Sequence, residues 1–341
     1  MEPRALITGV GGFIGSHLAE HLLRAGWCVD GIDHHPDSEY LAAAGEQIGL
    51  LRSGMTLDGL ADWDVPRGHY DAIFHLAARV GPTVVVEDPL TMLAEHARHA
   101  EAVCQLGARA RAVVVLASSS EVYQWNGDGL MSEDDALTIG PSHMPRCGYA
   151  ISKLHMEHTG LAYWRQRGVP VVVARLFNVA GARQRHRFVL PIFAKAALSG
   201  EPLPVHGDGS QLRTFTHVAD TVEALARLAE TATAYGEVVN VAAREPCLPI
   251  GAVARRVIEH VGATYDVEHT SAIAFTPYDR TGDAAWERMN VRRPDVSKLA
   301  ALTGLAFPDR WDDILREVCA DWATRLRVPA RAARTTVHRR S

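Results

Sequence analysis

The chain has 341 residues, enough for a full hydrophobic core and for two lobes. A formal net charge of −5 and a pI near 6.4 give no basic field for nucleic acid, and no apolar run is long enough to span a membrane. Cys28, Cys104, Cys147, Cys247 and Cys319 show neither paired nor metal-ligand spacing, and no signal peptide precedes the first apolar run, so the expectation is a cytoplasmic protein with reduced thiols and no metal.

The first stretch organises the rest. Ala5-Leu6-Ile7 predicts a strand, followed at once by Gly9, Gly12 and Gly15. The apolar positions Ile14, Leu18, Leu22 and Leu23 then predict a helix stopping at Gly26, and a second strand ends at Asp33. Gly9 allows a sharp turn, Gly12 lets a pyrophosphate approach the backbone, and Gly15 lets the helix pack closely on the sheet. The helix N-terminus offers N–H groups to phosphates, and Asp33 is placed to accept from a ribose diol. Two histidines and no arginine follow Asp33, which favours NAD over NADP. A merely tight turn is the alternative, but the strand, helix and acid stand in register with a dinucleotide site.

Residues 41–45 could begin a short helix, and strands are predicted at Ile48–Leu51 and Asp71–Leu76, the latter running into His75-Leu76-Ala77-Ala78. Pro89–Leu106 has helical spacing, with Gly107 placed to end it. Arg111–Ala117 predicts a fifth strand leading into Ser118-Ser119-Ser120-Glu121-Val122-Tyr123. Alternating strands and helices imply an α/β, Rossmann-type doubly wound parallel sheet, with this polar cluster in the cleft beyond the strand ends. An ordinary serine-rich capping loop is the competing reading. After a loop over 124–145, Tyr149-Ala-Ile-Ser-Lys153 opens a helix to about Gln166. Four residues apart, Tyr149 and Lys153 share a face, and the ammonium is expected to lower the phenol's pKa.

Val169–Ala174 predicts a sixth strand, followed by the basic stretch of Arg183, Arg185 and Arg187. A helix is expected from Asp220 to about Thr231, a last strand at Val238–Val241, then helices and loops ending in a helix over 311–326. Arg288–Pro294 reads as a basic loop. The NAD-binding lobe is expected to comprise 1–178 with 215–242, and a smaller, mostly helical C-terminal substrate lobe 179–214 with 243–328. The basic tail 329–341 is expected to be disordered.

Seven motifs in order carry a resemblance: TGVGGFIG (8–15), HLAA (75–78), SSSEVY (118–123), YAISK (149–153), RLFNVAG (175–181), RTFTHVAD (213–220) and RRPDVSKL (292–299). The sequence resembles the extended short-chain dehydrogenases/reductases that act on nucleotide sugars: epimerases, dehydratases and decarboxylases. The resemblance implies NAD reduced and re-oxidised within one turnover. It places NAD contacts at Gly9, Gly12, Phe13, Ile14, Gly15, Asp33, Leu76, Ala77, Ala78, Tyr149 and Lys153. It implies UDP-sugar contacts at Asn178, Arg183, Arg213 and Arg292 or Arg293, and a homodimer formed through helices near 89–106 and 149–166. The sequence departs from the family at Arg52-Ser53-Gly54-Met55, which lacks an aspartate for adenine, and at Arg79, His96 and Gln124.

The expected chemistry starts with Tyr149 taking the proton of a sugar C4 hydroxyl while Ser119 holds the same oxygen. The resulting 4-keto sugar can be re-reduced on its other face, lose water, or lose a C5 carboxylate. The Ser120-Glu121 pair, Pro145-Arg146 and Arg292-Arg293-Pro294 resemble UDP-glucuronate decarboxylases, with Glu121, Ser120 and Arg292 serving the second step. The alternatives are a UDP-sugar or UDP-uronate 4-epimerase, a nucleotide-sugar dehydratase, or a non-catalytic NAD(H)-binding regulator. Glu121 read as a plain loop carboxylate would favour the epimerase.

Overall fold

The computed structural model describes residues 2–34, 39–41, 47–53, 57–63, 65–81, 85, 87–124, 127, 129–267, 271–277 and 291–331. Residues 42–45, Gly54, Met55 and 332–341 lie outside these, as do the side chains of Arg52, Ser53, Pro145 and Arg146. Seven parallel strands form the central sheet: β1 (Arg4–Thr8), β2 (Cys28–Asp33), β3 (Ile48–Ser53), β4 (Ala72–His75), β5 (Val113–Ser119), β6 (Val171–Leu176) and β7 (Val238–Val241), in the order 3-2-1-4-5-6-7. The order reverses between β1 and β4, the switch point at which such sheets open a crevice beyond the carboxyl ends of their strands.

Strand alternation explains why both faces are covered. Ala5, Ile7, Phe74, Val115, Val172 and Ala174 join one buried cluster with Leu18 and Leu22 of helix α1 (Phe13–Arg24) and with Val222 and Leu225 of the helix Val218–Glu230. Their neighbours Leu6, Ile73, Val114, Leu116, Val171 and Val173 join another, with Val103 and Leu106 of α2 (Pro89–Ala110) and Met156 of α3 (Pro145–Arg167). Successive side chains point to opposite faces, and a parallel sheet sandwiched by helices needs both apolar. A separate cluster joins the helices Val189–Leu198, Ile250–Thr264 and Trp311–Leu326.

Several sequence expectations are corrected. Helix α2 starts at Pro89, where Asp88 accepts from Thr91 N at 3.3 Å, but it runs past Gly107. Gly107 is a packing glycine: a Cβ there would strike the Val114 side chain, and Arg111, at φ 58°, closes the helix instead. Strand β5 continues through Ser119, and Ser120–Tyr123 then forms one 3₁₀ turn. Helix α3 starts a turn before Tyr149. Val291–Pro294, expected as loop, is a strand running parallel to Leu212–Thr214 and Leu130–Met131. Leu130–Met131 thus pairs across the expected lobe boundary, and Leu299 packs into the cluster on the central sheet. At the start of the expected tail, Ala330 bridges Tyr265 and Arg331 N donates to Thr264 O at 2.8 Å, so these residues pack on the end of the helix Ile250–Thr264.

Candidate active site

The glycine turn is shaped for a dinucleotide. Gly9 has φ 77°, and a Cβ there would lie 2.8 Å from Ala77 N; a Cβ on Gly15 would collide with the Gly9 carbonyl oxygen. These glycines let β1, the start of α1 and the segment after β4 close on one another. Helix α1 begins at Phe13 after Gly12, with no side-chain cap and no acid in its first turn, which leaves its positive end open to phosphates. Asp33 Oδ2 accepts from Gly11 N at 2.9 Å, fixing its carboxylate beside the turn at the end of β2. Across the crevice, Leu76 N and Ala77 N donate to Thr8 O and Thr8 Oγ1 at 3.2 and 3.3 Å. The cradle has the chemistry to hold NAD: an uncapped helix start for phosphates and, at the end of β2, a carboxylate for a ribose.

Lys153 and Tyr149 lie on α3 beside the end of β5. Lys153 Nζ donates to Ala117 O at 2.8 Å and stands 5.8 Å from the Tyr149 ring centroid. Burial pushes the Lys153 pKa down to about 8, with Glu157 pulling the other way. The expected lowering of the Tyr149 phenol is not found. Burial raises it first and the Glu121 carboxylate next, against a hydrogen bond with Ser119 and the charge of Arg292.

Behind the serines is a buried polar network. Glu157 accepts from Ser118 Oγ and from Arg175 at 3.0 and 2.7 Å; Arg175 Nη1 donates to Tyr123 OH at 2.9 Å, and Tyr123 OH donates to Asn240 Oδ1 at 2.8 Å. Tyr123, at the end of the 3₁₀ turn, is fully buried. The turn carrying Ser120 and Glu121 is thereby anchored to β6 and β7.

That turn meets the strand Val291–Pro294. Arg292 Nη2 donates to Glu121 Oε1 at 2.6 Å, and Nη1 reaches Ser120 Oγ at 3.5 Å. Alternation along the strand turns Arg292 inward, while Arg293 points out to Glu245 at 3.4 Å. Glu121 faces Arg292 even though the extended geometry ends at Ser119, because the 3₁₀ turn, closed by Glu121 N donating to Ser119 Oγ at 3.2 Å, redirects it. Arg213 is the register partner of Arg292, and Asn178 Nδ2 donates to Thr214 O at 3.1 Å on the same strand. The structure thus brings together Ser119, Ser120, Glu121, Tyr149 and Arg292, with Lys153 and Arg213 adjoining. It does not bring Arg183 to this cluster: its Nη2 donates to Glu20 Oε1 at 2.6 Å and its Nη1 to Ser16 Oγ at 3.4 Å on α1.

The departures from the family pattern also find places. Arg79 turns away from the cleft onto Glu95 at 2.7 Å, and Gln124 is buried. His96 lies inside, against Ser152 and the ring of Tyr149. Ser152 was hidden in the sequence as an unremarkable middle residue of YAISK. Arg187 was visible only as part of a basic stretch. Its Cδ packs on Gly81, its Nε is buried without a hydrogen-bond partner, and burial with the Arg185 charge lowers its pKa.

A phenol, a lysine and a serine over a dinucleotide crevice are the means of moving a hydride to and from an alcohol carbon, which places the molecule among the short-chain dehydrogenases/reductases. Within them, the chain belongs to the NAD dependent epimerase/dehydratase family, whose pattern matches residues 5–242. NAD is its cofactor. A UDP-N-acetyl-alpha-D-glucosaminuronate decarboxylase from Bacillus cytotoxicus is 33% identical over 93% of this chain and 97% of its own length. A UDP-glucuronic acid decarboxylase from Danio rerio is 34% identical over 66% of this chain and 53% of its own length. The structure of an epimerase from Methanothermobacter thermautotrophicus superposes with a TM-score of 0.82 at 25% identity, covering 95% of this chain and 93% of that one.

Proposed function

We propose that this enzyme decarboxylates a UDP-linked uronic acid through a 4-keto intermediate. The observation that carries the reading is the partly buried ion pair of Glu121 and Arg292 beside Tyr149. Tyr149 takes the C4 hydroxyl proton, with Ser119 hydrogen-bonded to the same oxygen. NAD, which the glycine turn and Asp33 would hold, would supply the acceptor for the C4 hydride and the donor that restores it. Once C4 is a ketone, the C5 carboxylate is β to a carbonyl: the C5–carboxylate bond breaks, CO₂ leaves, and its electron pair becomes a C4–C5 enolate. Tyr149 and Ser119 stabilise the enolate oxygen. Arg292, oriented by Glu121, holds the departing carboxylate and then orients a water that gives its proton to C5 and recovers one from solvent, the guanidinium staying charged throughout. Arg213 and Asn178 would hold the diphosphate, and Arg183 would stay on α1 as a tie between the expected lobes. The likeness to two uronate decarboxylases supports this reading.

The structural likeness to an epimerase favours one alternative, 4-epimerisation, which needs Tyr149 and Ser119 but no group at C5. Product masses from a panel of UDP-sugars and UDP-uronates separate the two. Loss of CO₂ from a uronate supports decarboxylation, and an unchanged mass with an inverted C4 overturns it.

We further propose a homodimer through α2 and α3, which leave Leu90, Leu93 and Ile151 exposed, Leu90 to 78%. Leu90→Arg should convert a dimer to monomer in analytical ultracentrifugation; a wild-type monomer would refute the proposal. All five cysteines are free thiols, which supports a reducing compartment such as the cytoplasm, and no described helix is long and apolar enough to cross a membrane.

A further inference from the structure

Three hydrogen bonds join the segment after β4 to the helix that carries Tyr149. Arg79 N donates to His96 Nε2 at 3.1 Å, His96 Nδ1 lies 2.8 Å from Ser152 Oγ, and Ser152 Oγ donates to the Tyr149 carbonyl at 2.7 Å. The two ends fix the direction of the whole relay. A backbone N–H can only donate, so Nε2 is an acceptor and bears no proton. A carbonyl can only accept, so the Ser152 hydroxyl spends its one proton there and must accept from Nδ1. The network therefore assigns His96 as the neutral Nδ1–H tautomer. A proton on Nε2 would set two donors against each other. Burial, and then the Lys153 charge, push the His96 pKa down to about 3, in keeping with that tautomer.

The same ring contacts Tyr149 a second way, edge-on, with centroids 6.0 Å apart at 71°. His96 is 4% exposed and Ser152 is 3% exposed, so water does not compete for these bonds. Arg79 directly follows Leu76-Ala77-Ala78, the wall facing Gly9 across the crevice. We propose that His96 is a positioning residue: through Ser152 and through its ring, it locks the backbone and phenol of Tyr149 against the cofactor wall, setting the angle from which the phenolic oxygen meets the substrate hydroxyl. This rests on the proposed function only in taking Tyr149 as the acid–base group of C4 oxidation, a step shared by the decarboxylase and epimerase readings.

The test uses the full-length NAD-loaded enzyme and follows NADH formation in a single turnover with a nucleotide sugar. His96→Ala and Ser152→Ala are compared with their double variant. His96→Asn keeps a donor near Ser152, and His96→Gln keeps an acceptor near Arg79 N. Misplacement of the reacting group by about 1 Å costs roughly 10²-fold. Each alanine variant should therefore slow C4 oxidation by about 10- to 100-fold with KM and bound NAD held within about threefold, and the double should be no slower than the worse single. His96→Asn should recover much of the loss and His96→Gln less, because Ser152 is the route to Tyr149. Wild-type rates in both alanine variants would overturn the proposal, as would multiplying losses in the double, or a loss that tracks NAD content or KM. If His96→Ala does not fold, Ser152→Ala and His96→Asn decide it by the same criteria. Undiminished turnover in Tyr149→Phe, by contrast, would fail the functional reading itself.

Discussion

Replacing Glu121 by Gln keeps the side chain's size and removes one half of the ion pair that separates the proposed reaction from simple epimerisation. Arg292 is only 7% exposed at its side chain and Glu121 20%, with 2.6 Å between the paired atoms. Breaking a buried pair from one side costs roughly 3–5 kcal/mol, and the partial exposure of Glu121 brings this to about 2–3 kcal/mol. If that falls on the second step, CO₂ release slows by roughly 30- to 140-fold at 1.4 kcal/mol per tenfold. The first step should respond oppositely. The Glu121 charge raises the Tyr149 pKa, so its loss lowers it, and NADH formation should reach half its maximum at a lower pH than in wild type. Stopped-flow absorbance of NADH and trapped CO₂ give both quantities from one preparation. A variant that releases CO₂ at the wild-type rate, or whose NADH formation falls in step with CO₂, would refute the assignment of Glu121 to the second step.

Tyr149→Phe should lose roughly 10²–10⁴-fold in turnover while retaining NAD, measured by product formation and by NAD released on denaturation. Asp33→Ala should weaken NAD more than NADP⁺ by removing both a ribose acceptor and the repulsion of a 2′-phosphate; calorimetric titration showing that wild type prefers NADP⁺ would contradict this. The pKa of Lys153 is depressed in the folded state, so the unfolded chain holds more protons between about 8 and 10.5. Lys153 should therefore destabilise the protein below that window, and stability relative to Lys153→Met should rise with pH across it, checked by urea unfolding. A difference between the two that does not vary with pH would show that the buried ammonium keeps its ordinary pKa.

The sheet and the cofactor crevice were legible because they depend on local pattern: an apolar run, glycines at fixed offsets and an acid at the next strand end. The grouping of Ser119, Tyr149 and Lys153 at the end of β5 follows from the same kind of local pattern, with Tyr149 and Lys153 one helical turn apart. What failed was local punctuation overridden by packing. Gly107 looked like a helix stop, but a helix continues through a glycine when that glycine is what lets Val114 approach. The fifth strand was read as ending at Ala117, yet it runs on through Ser119, which then caps a 3₁₀ turn. Val291–Pro294 is too short for a strand pattern, and its partners lie far away in the chain. Ser152 and His96 were out of reach because their roles depend on hydrogen bonds between elements 56 residues apart.

The strand that carries Arg292 has a consequence for the order in which the enzyme comes into being. The cofactor cradle and the Tyr149 helix lie within the first half of the chain, but Glu121 and Arg292 are separated by 171 residues. Contacts that distant close late, after the nearer ones have shortened the loops. The expectation is a folding intermediate with a formed parallel sheet but no second-step chemistry. In pulsed hydrogen exchange during refolding, amides of Leu212–Thr214 and Val291–Pro294 should gain protection after those of β1, β4 and β5; simultaneous protection would contradict it. Competence to oxidise a sugar would then precede competence to break its carbon–carbon bond, and the last strand to dock would decide which enzyme the nascent fold becomes.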